Sequence, residues 1–362
     1  MNTNIKANRG LFWFAVLTAC FTFMLLGLGG LVTSHEAGMS VPDWPNTYGY
    51  NMFLFPPAQW IGGIFYEHTH RLLASVVGLM TTILAVWLWR KDSRPWIHWL
   101  GVAAFLLVVG QGVLGGLRVT LHMDSLGVFH GTIAQLFFVF TCAIALFTSR
   151  FWAGLERQPP ARREANSAIE PAVPEAGAPL RRLVLATTVL ILGQLVLGAT
   201  MRHQHAGLAI PDFPLAYGKV WPATSPDAVA RYNAERISLN GENDITAFQI
   251  ELQMAHRLMA LTISILVAAC AWQALRRLGG KDPLAKLAGF WLALILLQVA
   301  LGAATIWSNK AADVATAHVL VGALTLTTGA LWCIVAFRRS EPTAEPQHLD
   351  AFGMQPVLVP NK

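Results

Sequence analysis

The hydrophobic positions of the chain fall into eight long apolar runs separated by shorter polar segments. Each run is long enough to cross about 30 Å of hydrocarbon as a helix, and none alternates with the period of two that barrel strands show. Only helices and closed barrels satisfy their backbone hydrogen bonds in lipid, so the pattern predicts an all-α integral membrane protein with eight transmembrane helices. The predicted spans are Leu11–Val32, Tyr66–Trp89, Trp96–Leu117, Leu126–Thr148, Leu183–Met201, Phe248–Leu275, Leu284–Trp307 and Val314–Phe337.

The positions of the lysines and arginines predict the orientation of these spans. With the amino terminus in the cytoplasm, most of the cationic residues lie in cytoplasmic segments, while the first outer loop (residues 33–65) contains none. The positive-inside rule therefore predicts that both termini are cytoplasmic. The run from Leu11 is too long for a signal peptide and no A-x-A site follows it, so it is interpreted as an uncleaved first span. No transit peptide precedes it, which favours a bacterial inner membrane over an organelle.

Composition narrows the function classes. Apolar residues make up 54% of the chain and charged residues 13%, about half the usual charge of a soluble domain. This excludes an ordinary soluble enzyme, a disordered chain and a nucleic-acid-binding module, and the net charge of +6 reflects membrane topology. The cysteines all lie inside apolar runs without a CxxC pair, which is typical of small core- or lipid-facing residues; they are Cys20, Cys142, Cys270 and Cys333.

Two pairs of similar segments indicate an internal repeat. The sequence GLVTSHEAGMSVPDWPNTYG at 30–49 recurs as GATMRHQHAGLAIPDFPLAYG at 198–218, and THRLLAS at 69–75 recurs as AHRLMAL at 255–261. Each copy occupies the same place relative to the spans. The repeat predicts two four-helix bundles in parallel orientation.

The domain boundaries follow from this repeat. The amino-terminal bundle covers residues 1–150 and the carboxy-terminal bundle covers 181–339. Between them a cytoplasmic linker (151–180) is rich in proline, alanine and charge over Glu156–Pro179. The polar tail 340–362 is predicted to be disordered.

Four histidines occupy equivalent places near the outer ends of spans 2, 4, 6 and 8. An interhelical hydrogen bond is the alternative for any one of them, but polar residues inside a membrane tend to be functional, and four at one depth favour axial ligation. Two imidazoles from facing helices suit a heme iron, whereas zinc needs three or four ligands at one point. The predicted ligands are His70, His130, His256 and His318.

Charged residues accompany two of these histidines. Glu67 lies one helical turn before His70 and is predicted to face the same cofactor edge. The second copy has Gln253 at the matching place, which indicates one reactive site and one electron-transfer or structural site; an interfacial, solvated glutamate is the alternative. Arg71 and Arg257 follow His70 and its counterpart directly, where they either pair with a heme propionate or extend to the membrane surface.

The remaining polar residues of the spans and loops carry weaker expectations. Five histidines in or beside the outer loops are predicted to be surface residues, with auxiliary ligation as the alternative; they are His35, His68, His122, His203 and His205. Three intramembrane glutamines are each followed four residues later by glycine, which predicts an interhelical hydrogen bond beside a close-packing glycine; they are Gln111, Gln194 and Gln298. The loops containing PDWP and PDFP are predicted to fold over the outer ends of the bundles.

At these residues the chain resembles the heme A synthase family of terminal-oxidase assembly proteins. The resemblance covers essentially all eight spans. It is carried by the outer-loop motif GMSVPDWP, echoed as GLAIPDFP, by the element containing Glu67, His70 and Arg71, and by the second HR pair. His130 and His318 complete the pattern. The combination is specific, whereas each piece alone is weak.

The resemblance implies an activity and a division of labour. The family converts heme O to heme A by oxidising the methyl group at porphyrin C8 to a formyl group through successive hydroxylations, for which water is the expected oxygen source. It implies substrate heme in the amino-terminal half with ligands His70 and His130, and Glu67 needed for reaction. It also implies a resident heme b in the carboxy-terminal half, ligated by His256 and His318.

One family feature cannot be carried over. Some members have paired cysteines in the first outer loop, and residues 33–65 here contain none. A thiol step or a loop disulfide is therefore not expected in this chain.

Two other function classes compete with this interpretation. A di-heme b-type cytochrome carrying electrons from quinol is the main alternative, although hemes on one side would not carry electrons across the bilayer. A transporter or heme exporter would need a polar path through the midplane, where the spans offer no charged residue. The expected partners are heme O, the heme O synthase that supplies it, an unidentified electron acceptor and lipid; nucleic acid is excluded, and a homo-oligomer is left open.

Overall fold

The computed structural model describes residues 8–157, 176–240 and 244–339, and within these ranges the regular structure is helical. Eight of the helices there are long and apolar enough to cross a membrane. The α-helices are α1 (Arg9–Ser34), α2 (Gly62–Lys91), α3 (Pro95–Thr120), α4 (Leu126–Thr148), α5 (Arg150–Arg157), α6 (Ala178–His203), α7 (Pro226–Asn240), α8 (Ala247–Leu278), α9 (Pro283–Trp307) and α10 (Ala312–Arg339).

The eight predicted spans are confirmed, and most of the helices extend beyond the apolar runs at one or both ends. Polar and proline residues explain the extra turns. The Asn8 side chain accepts hydrogen bonds from the first N–H groups of α1, and the Asp282 side chain does the same for α9. Proline begins α3 and α9, where its missing N–H costs nothing. Hydropathy alone does not register such turns, since they lie outside the apolar core.

Two helices were not predicted. Helix α5 occupies the start of the predicted linker, and α7 lies in the second outer loop. Helix α7 begins where Ser225 Oγ accepts from the Ala228 N–H and proline stands at the first helical position, which is a recognisable start signal. Its residues Ala228 and Tyr232 are buried against Ile210 and Ile250, so α7 covers the loop that contains PDFP.

The membrane helices pack as two groups. Helix α1 contacts α2 and α4, and α3 contacts the same two helices; α6, α8, α9 and α10 form the second group. Across the groups, α10 packs against α1 and α4, and α4 packs against α6. Large apolar side chains such as Leu106, Ile265 and Leu296 are exposed on the outside of this bundle, as lipid contact requires.

The two groups are joined by polar contacts where α1 and α6 end and α10 begins. Arg202 Nη2 donates to the Gly30 carbonyl at 3.0 Å and to Ser34 Oγ at 2.8 Å. Thr316 of α10 lies against Gly30, whose missing side chain permits the approach. These contacts place the ends of α1 and α6 and the start of α10 at the same end of the bundle.

Several predicted segments lie outside the described residues. They are Lys6 near the amino terminus, residues 158–175 of the linker, and the tail 340–362. The boundaries at 150 and 181, the parallel repeat and the cytoplasmic termini stay predictions.

Close helix packing in the second group predicts the effect of one added methyl group. A Cβ on Gly329 of α10 would lie 2.5 Å from Thr188 Oγ1 and 2.7 Å from Cζ2 of the buried Trp291. We therefore expect Gly329→Ala to lower the free energy of unfolding in detergent by about 1–3 kcal/mol. Gly289→Ala is the matched control, because a Cβ there meets no atom within 4 Å and alanine favours the helix. Equal stability of the two variants would contradict this packing.

Candidate functional site

Each of the four predicted ligand histidines lies against a glycine of the preceding membrane helix. A Cβ on the glycine would stand 3.2 or 3.3 Å from Cε1 of the imidazole, so a side chain there would require the ring to shift by a few tenths of an ångström. The contacts are His70 with Gly29, His130 with Gly115, His256 with Gly198, and His318 with Gly302. Because each contact joins the end of one helix to the start of the next, all four rings lie at the same end of the bundle.

The imidazoles form two pairs, one in each helix group. His70 and His130 lie on α2 and α4 of the first helix group, and His256 and His318 lie on α8 and α10 of the second. The pairs therefore form within a group.

The environment of the rings suits a bound cofactor. The Nδ1 atoms of His70 and His256 are buried without a hydrogen-bond partner among the described residues, which is costly in an apolar interior. The rings of His130 and His318 lie beside the backbone carbonyls of Gln111 and Gln298. Within the described residues, no three His, Cys, Asp or Glu side chains come together as a metal site. Two imidazoles per group match the axial positions of a heme iron and are too few for a structural zinc site.

Glu67 is buried at the base of the first outer loop. Glu67 is 6% exposed. Its Oε1 lies 3.0 Å from Nε of Arg71, which is one helical turn further along α2, and the two side chains form an ion pair. The other nitrogens of Arg71 donate to backbone carbonyls of the loop, at Val41, Asp43 and Asn46. Arg71 therefore holds the loop over the start of α2, and Glu67 fixes the position of Arg71.

The second group has the same arrangement without the carboxylate. Gln253 accepts a hydrogen bond from the Ile210 N–H at 2.7 Å and donates to the Ile210 carbonyl at 3.3 Å. Arg257 donates to the carbonyls of Asp212 and Leu215. Both arginines thus hold outer loops, and their predicted contacts with heme propionates stay predictions.

The two outer loops fold alike. Asp43 accepts from the N–H groups of Tyr48 and Gly49; burial opposes its ionisation, but these hydrogen bonds lower the pKa of the Asp43 carboxyl below its usual value. In the second loop Asp212 accepts from Tyr217 and Gly218. The glycines have φ of 78° and 69°, a conformation that favours glycine.

The first loop also covers α3. A Cβ on Gly116 would overlap the indole of Trp44, so the tryptophan of PDWP packs directly on the helix backbone. Gly116 adjoins Gly115, which receives the His130 ring. The loop therefore covers the outer end of the first site.

Arg118 is a site residue that the sequence did not reveal. It lies in the last turn of α3, three residues after Gly115, which contacts the His130 ring. Its side chain is 15% exposed and pairs with Asp124 at 3.2 Å. A cation at the end of a membrane helix is ordinarily interpreted as reaching for the surface, which is why its position beside the histidines is visible only in the structure.

The outer-loop histidines divide into three cases. His35, His122 and His205 are exposed, as predicted. His203 is half-buried, and a Cβ on Gly127 of α4 would overlap its ring. The surface prediction for His68 is wrong: it is fully buried, because Phe55 and Trp60 of the loop pack against its ring, and its Nδ1 lies 3.2 Å from Thr47 Oγ1.

One predicted glutamine contact is confirmed. Gln194 Nε2 donates to the His256 carbonyl at 3.0 Å, joining α6 to α8 beside Gly198. The glycines that follow the three glutamines have a further use that the sequence did not reveal, because they receive the histidine rings.

The chain is similar to known proteins over most of its length. A family model described as "Cytochrome oxidase assembly protein" matches residues 12–329. A heme A synthase of Lysinibacillus sphaericus is 26% identical over 88% of this chain and 92% of its own length. A heme A synthase of Geobacillus kaustophilus is 27% identical over 86% of each chain, and one of Shewanella oneidensis is 23% identical over 87% of this chain and 93% of its own.

The loop contacts predict a local effect of losing each arginine. Arg71→Gln removes the donors to three carbonyls of the first loop, and a hydrogen bond from a charged group contributes about 1.5–3 kcal/mol. We expect amide hydrogen exchange over residues 41–50 to become about tenfold faster or more, with residues 209–218 unchanged. Arg257→Gln is the reciprocal control and should affect only the second loop. Equal exchange of both loops in both variants would argue against this anchoring.

Proposed function

The chain belongs to this family of cytochrome oxidase assembly proteins, and we propose that it acts as a heme A synthase, an oxidoreductase that converts heme O to heme A. The observation that carries the proposal is the coincidence of the family match with two histidine pairs seated on glycines in one eight-helix bundle. The oxidised group is the porphyrin C8 methyl, which becomes a formyl group with water as the oxygen source.

Heme O binds within the group of helices α1, α2, α3 and α4, with His70 and His130 as iron ligands. The presence of a buried carboxylate in this group supports the assignment, since the second group has an amide in the same place. Glu67 is one turn from His70 on the same helix face. It is therefore placed beside the substrate that His70 holds.

Glu67 is the catalytic residue of this site. Oxidation removes electrons and protons from the methyl carbon, and a carboxylate nearby stabilises the developing positive charge or holds and deprotonates the incoming water. The Arg71 guanidinium fixes one oxygen of Glu67. The loop above the pair, including Trp44 on Gly116, limits access of bulk water to this edge.

The second group holds a resident heme b with His256 and His318 as ligands. The orphaned Nδ1 atom of His256 and the close contact of both rings with glycines support the fit of these residues to such a group. When bound, heme b supplies one-electron chemistry. Gln253 and Arg257 keep the outer loop closed over this site through their contacts with Ile210, Asp212 and Leu215.

Arg257 has a side-chain donor available for its predicted contact with a heme propionate. Arg257 Nε is buried without a hydrogen-bond partner in the part of the chain that the structure describes. The nitrogens of Arg71 already donate hydrogen bonds to Glu67 and to carbonyls of the first outer loop. A propionate contact is therefore better supported for Arg257 than for Arg71.

The chain is a multi-pass membrane protein, and we place it in a bacterial inner membrane with both termini in the cytoplasm. Basic residues in the last turns of α2, α8 and α10 lie opposite the histidine end, and the positive-inside rule puts them on the cytoplasmic side. The heme sites then face the periplasm. A heme O synthase supplies the substrate, and an electron acceptor yet to be identified removes the electrons.

The di-heme electron carrier explains the observations less well. It accounts for the two histidine pairs but gives no role to a buried glutamate present in one group and replaced by glutamine in the other. Both pairs also lie at one end of the bundle, which does not suit electron transfer across the bilayer.

The proposal predicts that Glu67→Gln lowers heme A output by about 100-fold or more, the usual contribution of a positioned acid–base group. Heme O should still be bound, because both imidazoles remain. The measurement is co-expression with a heme O source, followed by chromatography of the extracted hemes. Glu251→Gln, at an exposed position on α8, is the matched control and should keep normal output. Normal heme A output from the Glu67 variant would refute the role of Glu67, and heme B alone from the unaltered protein would refute the proposed function.

A further inference from the structure

Arg118 projects from the same face of α3 that receives the His130 ring. Gly115, whose backbone contacts that ring, precedes Arg118 by three residues, so the two share a helix face with Arg118 one turn nearer the outer end. The electrostatic effect of Arg118 on Glu67, His70 and His130 agrees with this position. The guanidinium therefore lies above the first histidine pair.

The donors of Arg118 are largely unused within the protein. A guanidinium has five N–H groups. One nitrogen, Nη2, pairs with Asp124, whose side chain is 64% exposed, and such exposed pairs contribute little. Nε is buried without a hydrogen-bond partner among the described residues, and the guanidinium lies against Gly38 of the outer loop, where a side chain would collide with it. Arg118 is therefore a mostly buried cation with donors to spare, for which the described residues supply only the exposed Asp124 carboxylate.

Neither Arg71 nor Arg257 has terminal nitrogens available in the same way, and the second group has no matching cation on α9. Arg71 and Arg257 direct their terminal nitrogens to loop carbonyls. Counting from Gly302, the counterpart of Arg118 on α9 is Thr305, whose hydroxyl donates to the Leu301 carbonyl of its own helix. The additional cation therefore belongs to the group that contains Glu67.

We propose that Arg118 binds a propionate carboxylate of the substrate heme and thereby fixes its orientation relative to Glu67. The inference rests on the proposed function, since it takes heme O as the ligand of the first site. A guanidinium matches a carboxylate with two parallel N–H···O bonds. Porphyrin propionates are the anionic groups of this substrate, and the outer end of the bundle is where they reach water.

The test compares heme O with its propionate dimethyl ester. Full-length protein, purified from a host without heme O, is titrated with each compound and binding is followed by Soret absorbance. We expect the unaltered protein to bind the ester about tenfold more weakly or worse, from the loss of a charge-assisted hydrogen bond. Arg118→Gln should bind both compounds equally, at about the affinity of the ester.

Two further variants separate binding from structure. Asp124→Asn removes the side-chain partner of Arg118 and should keep the preference for the free acid, because the exposed pair contributes little. Arg118→Lys keeps the charge without the planar fork and should reduce the preference. Loss of the heme bound at His256 and His318 would show that Arg118→Gln does not fold. In that case the preference of Arg118→Lys for the free acid tests the role of Arg118.

The outcomes distinguish this inference from the proposed function. Full discrimination between acid and ester in Arg118→Gln, or in Arg118→Lys where only that variant folds, overturns the role of Arg118. In that case heme A formation by the unaltered protein still supports the synthase. Failure of the unaltered protein to convert bound heme O refutes the proposed function, whatever the binding preference.

Discussion

The close approach of imidazole rings to helix backbone sets the geometry of this bundle. Each ring lies in tight contact with a glycine of the neighbouring helix, so four helix pairs approach closely: at Gly29, Gly115, Gly198 and Gly302. The Nδ1 atoms of His70 and His256 are also buried without partners among the described residues. Buried polar groups of this kind are costly in an apolar bundle, and polar residues inside a membrane are ordinarily functional.

The two helix groups are similar in framework and different in chemistry. Both hold their outer loops by an arginine and by an aspartate that binds two consecutive N–H groups. Glu67 in one group is Gln253 in the other, and the Arg118 of α3 is Thr305 on α9. The carboxylate and the cation near one histidine pair are the groups to which we assign charge stabilisation and substrate orientation, whereas the matching amide and hydroxyl of the second group bond to the outer loop and to their own helix.

Hydropathy and spacing were sufficient to predict the spans and to single out the four histidines that contact glycines, because lipid imposes a strong constraint on length and polarity. They were insufficient where a residue's role depends on a neighbour distant in sequence. His68 was assigned to the surface since nothing nearby shows that Phe55 and Trp60 cover it. Arg118 has the same local sequence context as an arginine that extends to water. Helix α7 had a start signal at Ser225 and Pro226, but its polar composition concealed it within a loop.

The central claim is that each helix group holds one heme iron between its own two imidazoles. Electron paramagnetic resonance of the oxidised, purified protein and of the variants His130→Ala and His318→Ala tests it most directly. The account predicts low-spin bis-imidazole signals from both sites in the unaltered protein, with each variant removing the signal of its own group and leaving the other. Absence of such signals, or loss of both in either single variant, would contradict it.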